Sequence, residues 1–457
     1  MTHVAVIDIG KTNAKLALVD LKSQNEAAVV TRPNVVLKGP PYPHFDIEGH
    51  WDFLITALAK FHKSHGIDAI SVTTHGASAA LLDARGNLAT PVLDYEFDAP
   101  SLLRAQYDVI RPNFSQTGSP PLSGGLNLGL QLYWQFQQDP SLHARTKTIL
   151  TYPQYWGFRL TGAFATDVTS LGCHTDLWCP DSGQFSSLVD DLNVRDKIAP
   201  PQKSTDRLGT LSPKVAALTG LPTHTPVTCG IHDSNASLYP HLIDHDGPFS
   251  IVSTGTWVIA MAIGCENVEL DPTRDTLINV DANGDPVRSA RFMGGRSFDM
   301  LMPDPIPTPT AAEQIEVLRA GAMLMPAIVQ GSGPFPNAAP HWRGTEPPVG
   351  SPQRAAAVGY YLAMMTSTCL DLIGAAGPTI IEGAFTKNQS FLRMLSAATG
   401  RPVQATASST GTSLGAALLA AHASERVILA HQIKATEEHG TAWAAYAKRW
   451  QHFAQSA

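Results

Sequence analysis

The chain has 457 residues, of which 44% are apolar and 16% charged, and its net charge at pH 7 is −7. This composition is typical of a folded enzyme and excludes a disordered chain. The negative charge and the scattered Lys and Arg residues argue against nucleic-acid binding. Because one compact core rarely organises this length, we expect two domains of roughly 200 residues each.

The cellular compartment of the protein is predicted from its apolar runs, its first residues and its cysteines. No apolar run reaches the about 18 residues that span a membrane, and no basic leader precedes the first predicted strand, so neither a membrane span nor a signal peptide is expected. The five cysteines are odd in number and form no CxxC pair, which predicts free thiols in a reducing cytoplasm. Cys173, His174 and Cys179 hint at zinc, but their spacing matches no usual zinc pattern.

The first predicted element is a strand, a polar turn and a second strand over residues 4–20. Gly10 permits a tight turn and lets a phosphate approach the backbone amides closely. Thr12 and Asn13 add short donors, and Asp8 suits a hydrated Mg²⁺ ion, which takes few protein ligands. The alternative is an ordinary hairpin with a solvated turn.

The next elements alternate between helix and strand. Residues 51–64 carry apolar side chains at helical spacing, and residues 67–74 form an apolar run that leads into His75 and Gly76. Residues 79–87 predict another strand, closed by a Gly-Asn turn. This alternation indicates an α/β fold.

The middle of the chain continues the pattern after a loop-like stretch at residues 115–129. Helical spacing predicts helices at residues 130–138 and 154–160. An apolar strand at residues 225–229 precedes Gly230 and the start of a small-residue helix. We place the boundary between the domains just after that helix, at residues 244–248.

The second half repeats the opening design. Residues 249–262 again predict a strand, a small polar turn and a strand, as a duplicated fold would show. A third polar turn at residues 379–388 precedes a helix that runs through Ala398, and residues 411–421 predict a tightly packed helix. Residues 303–310 predict a surface loop.

Three glycine-flanked turns, at residues 8–15, 254–256 and 383–388, resemble in order the two phosphate motifs and the adenosine motif of the FGGY carbohydrate kinases. The chain has neither a GxxxxGK[ST] loop nor a GxGxxG segment that opens a helix after a strand. Residues 152–162 and 292–296 resemble further segments of that family. The resemblance covers nearly the whole chain.

The resemblance implies an α/β fold of two actin-like (ribonuclease H-like) domains with a central cleft. Residues 1–245 would bind the sugar and supply the catalytic base, and residues 246–457 would bind the nucleotide. The implied activity is ATP- and Mg²⁺-dependent phosphorylation of a terminal hydroxyl of a ketose. L-Rhamnulose and L-fuculose are favoured, and xylulose, ribulose, erythrulose and glycerol stay open. A non-catalytic sugar sensor is the alternative.

The same resemblance implies the partners and the location. The partners are the sugar and ATP, without nucleic acid or membrane. The expected protein is a cytoplasmic monomer or homodimer.

By motif match, Asp233 is the catalytic base, and its alternative role is that of a helix N-cap. Asp8 would position Mg²⁺ through water. Lys15 could point at phosphate or at solvent, and Glu382 stands where the family usually has the first glycine of a pair. The residues implied in ATP binding are Gly10, Lys11, Thr12, Asn13, Lys15, Thr254, Gly255, Gly295, Gly383 and Asn388.

The sugar site is assigned to residues at predicted strand ends and in the loop and helix that follow. His75 could bridge two hydroxyls or satisfy a core carbonyl. The pair of His232 and Asp233 is similar to that of rhamnulose and fuculose kinases, whereas glycerol and xylulose kinases usually differ there. The implied sugar-binding residues are His75, Gly76, Asp94, Gln131 and His232.

Overall fold

The structure, a computed structural model, describes residues 2–406, 411–421, 432–434 and 441–455. These residues form two compact units. The described part of the first unit comprises residues 2–244, 278–286 and 411–421, and the second unit comprises the rest.

The elements before residue 245 alternate between strands and helices, with a short 3₁₀ helix at Ala99–Leu103. The strands are β1 (His3–Ile9), β2 (Asn13–Asp20), β3 (Asn25–Pro33), β4 (Val36–Leu37), β5 (His44–Phe45), β6 (Ala69–Thr74), β7 (Ala79–Leu82), β8 (Thr148–Thr151), β9 (Thr166–Asp167), β10 (Trp178–Cys179), β11 (Gln184–Phe185), β12 (Pro201–Gln202), β13 (Arg207–Thr210), β14 (Pro226–Thr228) and β15 (Ile231–His232). The helices are α1 (Ile47–His65), α2 (Arg104–Tyr107), α3 (Phe114–Thr117), α4 (Leu128–Gln138), α5 (Pro140–Arg145), α6 (Tyr152–Thr161), α7 (Val168–Leu171), α8 (Leu188–Asp191), α9 (Pro213–Thr219) and α10 (Asp233–Asp244).

The main sheet of the first unit has the order β13-β14-β6-β1-β2-β3, and β15 also pairs with β6. β1 pairs with β2 antiparallel, which places Asp8 opposite Lys15, and with β6 in parallel. All six residues of β6 are buried, because this strand lies inside the sheet. The sheet thus brings the end of β1, the end of β6 and the start of α10 to one edge.

Helix α1 begins four residues earlier than the sequence indicates. Asp46 is its N-cap and accepts a hydrogen bond from the Gly49 N–H, which allows the helix to begin at Ile47. The side chains of Leu54, Leu58 and Phe61 are buried in the core of the first unit.

The later elements include short 3₁₀ helices at Pro272–Arg274 and Ala384–Lys387. The strands are β16 (Phe249–Thr254), β17 (Val258–Ile263), β18 (Thr276–Val280), β19 (Pro286–Phe292), β20 (Met323–Met325), β21 (His341–Arg343), β22 (Thr379–Gly383), β23 (Val403–Thr406) and β24 (Gln432–Lys434). The helices are α11 (Gly294–Leu301), α12 (Ala311–Ala320), α13 (Pro352–Leu372), α14 (Gln389–Thr399), α15 (Thr412–Leu418) and α16 (Thr441–Gln455).

The sheet of the second unit contains the order β19-β17-β16-β22-β23-β24. β16 and β17 form the predicted second hairpin, and β22 pairs with β16 in parallel. Helix α13 is buried along most of its length, and Trp450 of α16 donates a hydrogen bond of 2.7 Å to the Leu324 carbonyl. This arrangement repeats the hairpin and parallel strand of the first unit.

Helix α15 matches the helix predicted at residues 411–421, but it lies in the first unit. It packs on α10 so closely that a β-carbon at Gly415 would overlap the Ala236 carbonyl. The first unit is therefore completed by a segment from near the end of the chain.

All five cysteines are free thiols. Among the described residues, no group of three or more His, Cys, Asp or Glu side chains could hold a metal ion. Within the same ranges, no helix has the length and apolar character that a membrane crossing requires.

Candidate active site

The turn between β1 and β2 is closed by the Gly10 N–H, which donates a hydrogen bond of 2.9 Å to the Asn13 carbonyl. A β-carbon at Gly10 would lie 3.6 Å from that oxygen, an ordinary contact, and the φ angle of Gly10 is not positive. The backbone at Gly10 therefore accommodates glycine without requiring it. Thr12 and Asn13 are exposed, and the Asn13 amide donates to the Thr12 hydroxyl at 3.2 Å.

Asp8 lies at the end of β1 and is 9% exposed. Its Oδ2 accepts a hydrogen bond of 2.7 Å from the Thr412 hydroxyl and lies 3.2 Å from Lys15 Nζ. Lys15 also lies 3.3 Å from Glu26 Oε1, so its ammonium group lies between two carboxylates. A single carboxylate is enough for a Mg²⁺ ion that keeps most of its waters and also binds phosphate.

Lys11, predicted to bind nucleotide, contacts a residue predicted to bind sugar. Its ammonium group contacts the Asp94 carboxylate, lies 3.0 Å from Glu96 Oε2, and sits 4.8 Å from the centre of the Tyr95 ring. The side chains of Lys11 and Asp94 are 22% and 10% exposed, so the pair is partly desolvated. The structure thus places Lys11 with Asp94.

His75 follows β6 and is buried among three aromatic rings. Its ring centre lies 4.9 Å from that of Phe45, 5.1 Å from that of Tyr95 and 4.9 Å from that of Tyr152. Burial lowers the pKa of His75 to about 4, so the imidazole is neutral at pH 7. Nδ1 lies 2.8 Å from the Gly76 carbonyl and must therefore donate, which makes Nε2 an acceptor. This buried Nε2 has no hydrogen-bond partner among the described residues.

His232 lies beside Asp233, with Nε2 3.4 Å from the Asp233 Oδ1. Burial lowers its pKa to about 4, and its Nδ1 is buried without a partner within the described ranges. A β-carbon at Gly76 would lie 2.8 Å from His232 Nε2, so any larger residue at that position would displace the His232 ring. The buried unpartnered nitrogens of His75 and His232 are two atoms that a polyhydroxylated ligand could satisfy.

Asp233 is the first residue of α10, and its Oδ1 accepts a hydrogen bond of 2.6 Å from the Ser234 N–H. An N-cap residue precedes its helix and binds an amide two or three residues onward, so this contact is not that of an N-cap. The side chain is 29% exposed. Desolvation raises the pKa of Asp233 to about 6, and the Asp8 carboxylate adds to the shift while His75 opposes it.

Gln131, which the sequence predicts to bind sugar, and the nearby Asn127 hold backbone segments together. The Gln131 amide donates to the Ala77 carbonyl at 2.5 Å and to the Gly125 carbonyl. The Asn127 side chain binds three backbone groups, namely the Pro120 carbonyl, the His174 carbonyl and the Leu122 N–H. Through these hydrogen bonds both residues stabilise the loop before α4.

In the second unit, Thr254 joins the two predicted nucleotide turns. Its hydroxyl contacts the Glu382 carbonyl and accepts a hydrogen bond of 3.0 Å from the Phe385 N–H. Gly383 has a φ of +85°, and a β-carbon there would overlap the Thr254 carbonyl. Gly383 is therefore required by backbone conformation and by close approach.

A cavity of about 680 Å³ opens beside these turns. Three residues predicted to bind nucleotide, Gly255, Gly295 and Asn388, line it, and Asn388 also caps α14 through a 3.1 Å bond from the Phe391 N–H. Residues 306–309, which the sequence predicts as a surface loop, also line this cavity.

Among the polar residues that line the same cavity and that the sequence missed are Gln314 of α12 and Ser390 and Arg393 of α14. Gln314 Oε1, Ser390 Oγ and Arg393 Nε are buried without a hydrogen-bond partner in the described part of the chain. Neither helix carries a local motif there. The polar residues on the inner faces of two amphipathic helices were the one available signal.

Comparison with known proteins gives two family matches. The N-terminal domain of the FGGY family of carbohydrate kinases matches residues 3–239, and the C-terminal domain of carbohydrate kinase FGGY matches residues 246–427. The chain is also similar to a crystal structure of a carbohydrate kinase from Novosphingobium aromaticivorans. The sequences are 35% identical, the TM-score is 0.90, and the match covers 98% of this chain and 100% of that one.

Two curated relatives match over shorter stretches. L-Fuculokinase of Escherichia coli (strain K12) is 26% identical over 270 residues, 56% of each chain. A probable L-xylulose kinase of Pasteurella multocida (strain Pm70) is 24% identical over 279 residues, 58% of this chain and 56% of that one. The chain thus matches little more than half the length of these curated relatives.

The fold is α/β with two actin-like domains, each built on a hairpin and a parallel strand, and this confirms the fold class predicted from the sequence. The chain belongs to the FGGY family of carbohydrate kinases.

Proposed function

We propose that the chain is an ATP-dependent kinase that phosphorylates a terminal hydroxyl of a ketose. Within this class we favour a 6-deoxyketohexose, L-rhamnulose or L-fuculose, over xylulose, ribulose, erythrulose and glycerol. The observation that carries the proposal is the Asp233 carboxylate, which has a pKa raised to about 6 and lies 3.4 Å from His232 Nε2. A cytoplasmic monomer or homodimer, without nucleic-acid or membrane partners, stays a prediction.

Asp233 acts as the base for the sugar hydroxyl. In a loose phosphoryl-transfer transition state the base mainly orients the nucleophile and accepts its proton late. A pKa near 6 improves a carboxylate for this task while leaving it ionised at pH 7.

The two histidines bind sugar hydroxyls, which satisfies His75 Nε2 and His232 Nδ1. Because His75 Nδ1 donates to the Gly76 carbonyl, Nε2 accepts from a hydroxyl. The partly exposed Tyr95 ring, whose centre lies 5.1 Å from that of His75, supplies an apolar side for the methyl group of a 6-deoxy sugar. Contact with one methyl group favours one sugar over another by only about 1–3 kcal/mol. Xylulose, ribulose, erythrulose and glycerol therefore stay alternatives.

ATP binds with its adenosine in the cavity beside Gly295 and Asn388, whose volume of about 680 Å³ suits a small-molecule site. The turn at residues 10–13 and the Gly255 turn bind the phosphates. Mg²⁺ held through Asp8 would neutralise phosphate charge as the phosphoryl group moves.

The names of the relatives also support a sugar kinase. They include L-fuculokinase, a probable L-xylulose kinase and, over 30% of this chain, a rhamnulokinase of Bacillus subtilis (strain 168). All three names refer to ketoses, two of which are 6-deoxy sugars.

The test is ADP release from Mg-ATP across L-rhamnulose, L-fuculose, L- and D-xylulose, L- and D-ribulose, L-erythrulose and glycerol. We expect one sugar to give the highest kcat/KM, and Asp233→Asn to abolish its turnover while sugar binding persists. Asp190→Asn, which alters an exposed ion pair with Arg195, is the matched control and should leave kcat unchanged. ATP binding without turnover of any sugar would favour the sensor.

A further inference from the structure

Asn34 is bonded to two carbonyls of the turn at residues 10–13. Its side-chain amide donates a hydrogen bond of 2.8 Å to the Gly10 carbonyl, and its backbone N–H donates one of 2.8 Å to the Thr12 carbonyl. Asn34 is 8% exposed, so little water competes for these bonds. One residue thus fixes two peptide planes of the turn.

His50 of α1 fixes the orientation of the Asn34 side chain. Arg32 can only donate, so His50 Nδ1 accepts the 2.8 Å bond from Arg32 Nη1. His50 is fully buried, and burial, together with the Arg32 charge, lowers its pKa to about 4. The neutral imidazole therefore carries its proton on Nε2 and donates to Asn34 Oδ1 at 2.8 Å. The Asn34 oxygen faces His50, which leaves its NH₂ group for the Gly10 carbonyl.

This series of hydrogen bonds extends to the start of α1. Arg32 Nη2 contacts the carboxylate of Asp46, the N-cap of that helix. A β-carbon at Gly49 would overlap both Arg32 and Asp46, so the local sequence leaves room for this pair. Asp46 thus holds Arg32, Arg32 orients His50, and His50 orients Asn34.

In a planar trans peptide the C=O and N–H groups point in opposite directions. With the Gly10 carbonyl held by Asn34, the Lys11 N–H points away from Asn34, and it has no acceptor within the described residues. Rotation of the Gly10–Lys11 peptide changes the ψ angle of Gly10 and the φ angle of Lys11, and the hydrogen bond from Asn34 to the Gly10 carbonyl opposes this rotation. A rotated peptide would present a carbonyl oxygen to the phosphate.

We propose that Asn34, oriented by His50, is a positioning residue that directs the Lys11 N–H toward the phosphates of the bound nucleotide. The inference rests on the proposed function, because it needs ATP at this turn. The inference gives Asn34 and His50 a role in ATP binding although neither side chain is proposed to contact the sugar or the nucleotide.

The test compares Asn34→Asp with Asn25→Asp. The Asn34→Asp side chain keeps an acceptor for His50 but loses the donor to the Gly10 carbonyl, whereas Asn25 donates at 2.9 Å to the Ser23 carbonyl of an exposed turn. We expect Asn34→Asp to lower both kcat/KM for ATP and the affinity for ATP by at least about tenfold. The new carboxylate cannot donate to the Gly10 carbonyl and repels it instead. Adenosine affinity and the sugar KM should stay within about twofold, as should every value for Asn25→Asp.

A second pair keeps the test decisive if Asn34→Asp does not fold. His50→Gln retains an N–H that can reach Asn34 and should stay within about threefold of wild type, whereas His50→Leu should lose ATP affinity as Asn34→Asp does. Equal losses for ATP, adenosine and sugar would indicate general damage and overturn the inference, as would unchanged ATP affinity. If wild type neither binds ATP nor phosphorylates any sugar, the proposed function fails and the inference fails with it.

Discussion

The ring of His232 packs directly on Gly76. A β-carbon at position 76 would lie 2.8 Å from His232 Nε2 and 2.9 Å from its Cδ2. The residue at position 76 therefore limits where the His232 ring can lie. Asp233, the predicted catalytic base, directly follows His232 in the sequence.

Gly76→Ala should displace the His232 ring and raise the KM for the sugar by about tenfold, with a smaller change in the KM for ATP. Steady-state kinetics with each substrate varied in turn measures both constants. Gly209→Ala is the matched control, because its β-carbon would meet Thr161 at an ordinary 3.5 Å. An unchanged sugar KM in Gly76→Ala would contradict a role for His232 in sugar binding.

Asp233→Asn should remove turnover and also stabilise the protein. A carboxyl whose folded pKa is about 6 loses stability as pH rises from its unfolded value of about 4, and this loss is complete above pH 6. Because the side chain is 29% exposed, we expect a gain of only about 1 kcal/mol at pH 7. Denaturation at pH 7 and pH 4 checks this, since the gain should vanish at pH 4.

The pH dependence of kcat/KM for the sugar should report the same carboxyl. The base acts only when deprotonated, so the rate should fall tenfold per pH unit below pH about 6 and level off above it. His75 and His232, with pKa values lowered to about 4, should add no step between pH 6 and 8. A profile that is flat from pH 5 to 8 would assign the base to another residue.

Lys11→Met should impair sugar binding more than ATP binding. The change leaves the Asp94 carboxylate partly buried without its ammonium partner, so the sugar KM should rise by at least about tenfold and the ATP KM by less than about threefold. Lys197→Met is the control, because Lys197 is also partly buried but binds the carbonyls of His143 and Thr146. A larger change in the ATP KM would support the phosphate role that the sequence predicts for Lys11.

Gln314→Leu should weaken the preference for ATP. The buried Gln314 Oε1 can accept from the adenine amino group, whereas guanine carries a carbonyl at that position. We expect the ATP to GTP ratio of kcat/KM to fall about tenfold, while Gln353→Leu, on exposed α13 surface, leaves it unchanged. An unaltered ratio would mean that Gln314 does not contact the base.

The sequence predicted the strands and turns well, because their signals are local. Every residue of β1 from Val4 to Ile9 is buried, so its apolar run is continuous. The first four residues of β16 are also all buried, whereas the first four residues of β17 alternate between buried and partly exposed. The aligned turns then made the family recognisable.

Contacts between distant residues were not readable in this way. Lys11 meets Asp94 across 83 positions, and the direction of a long side chain in a turn depends on what folds beside it. The unpartnered atoms of Gln314 and Arg393 likewise become visible only when two helices and a loop enclose one cavity. Hydrophobic periodicity places a helix but does not identify which polar residue on it faces a ligand.

The return of α15 to the first unit affects the order in which the protein can fold during synthesis. Thr412 supplies the hydroxyl bonded to Asp8, and Gly415 packs against Ala236 of α10. A nascent chain that has reached residue 244 therefore lacks part of its first unit and cannot complete it until residues 412–418 have left the ribosome. By then most of the second unit has been made, so the first unit cannot be finished until the ribosome has synthesised most of the second.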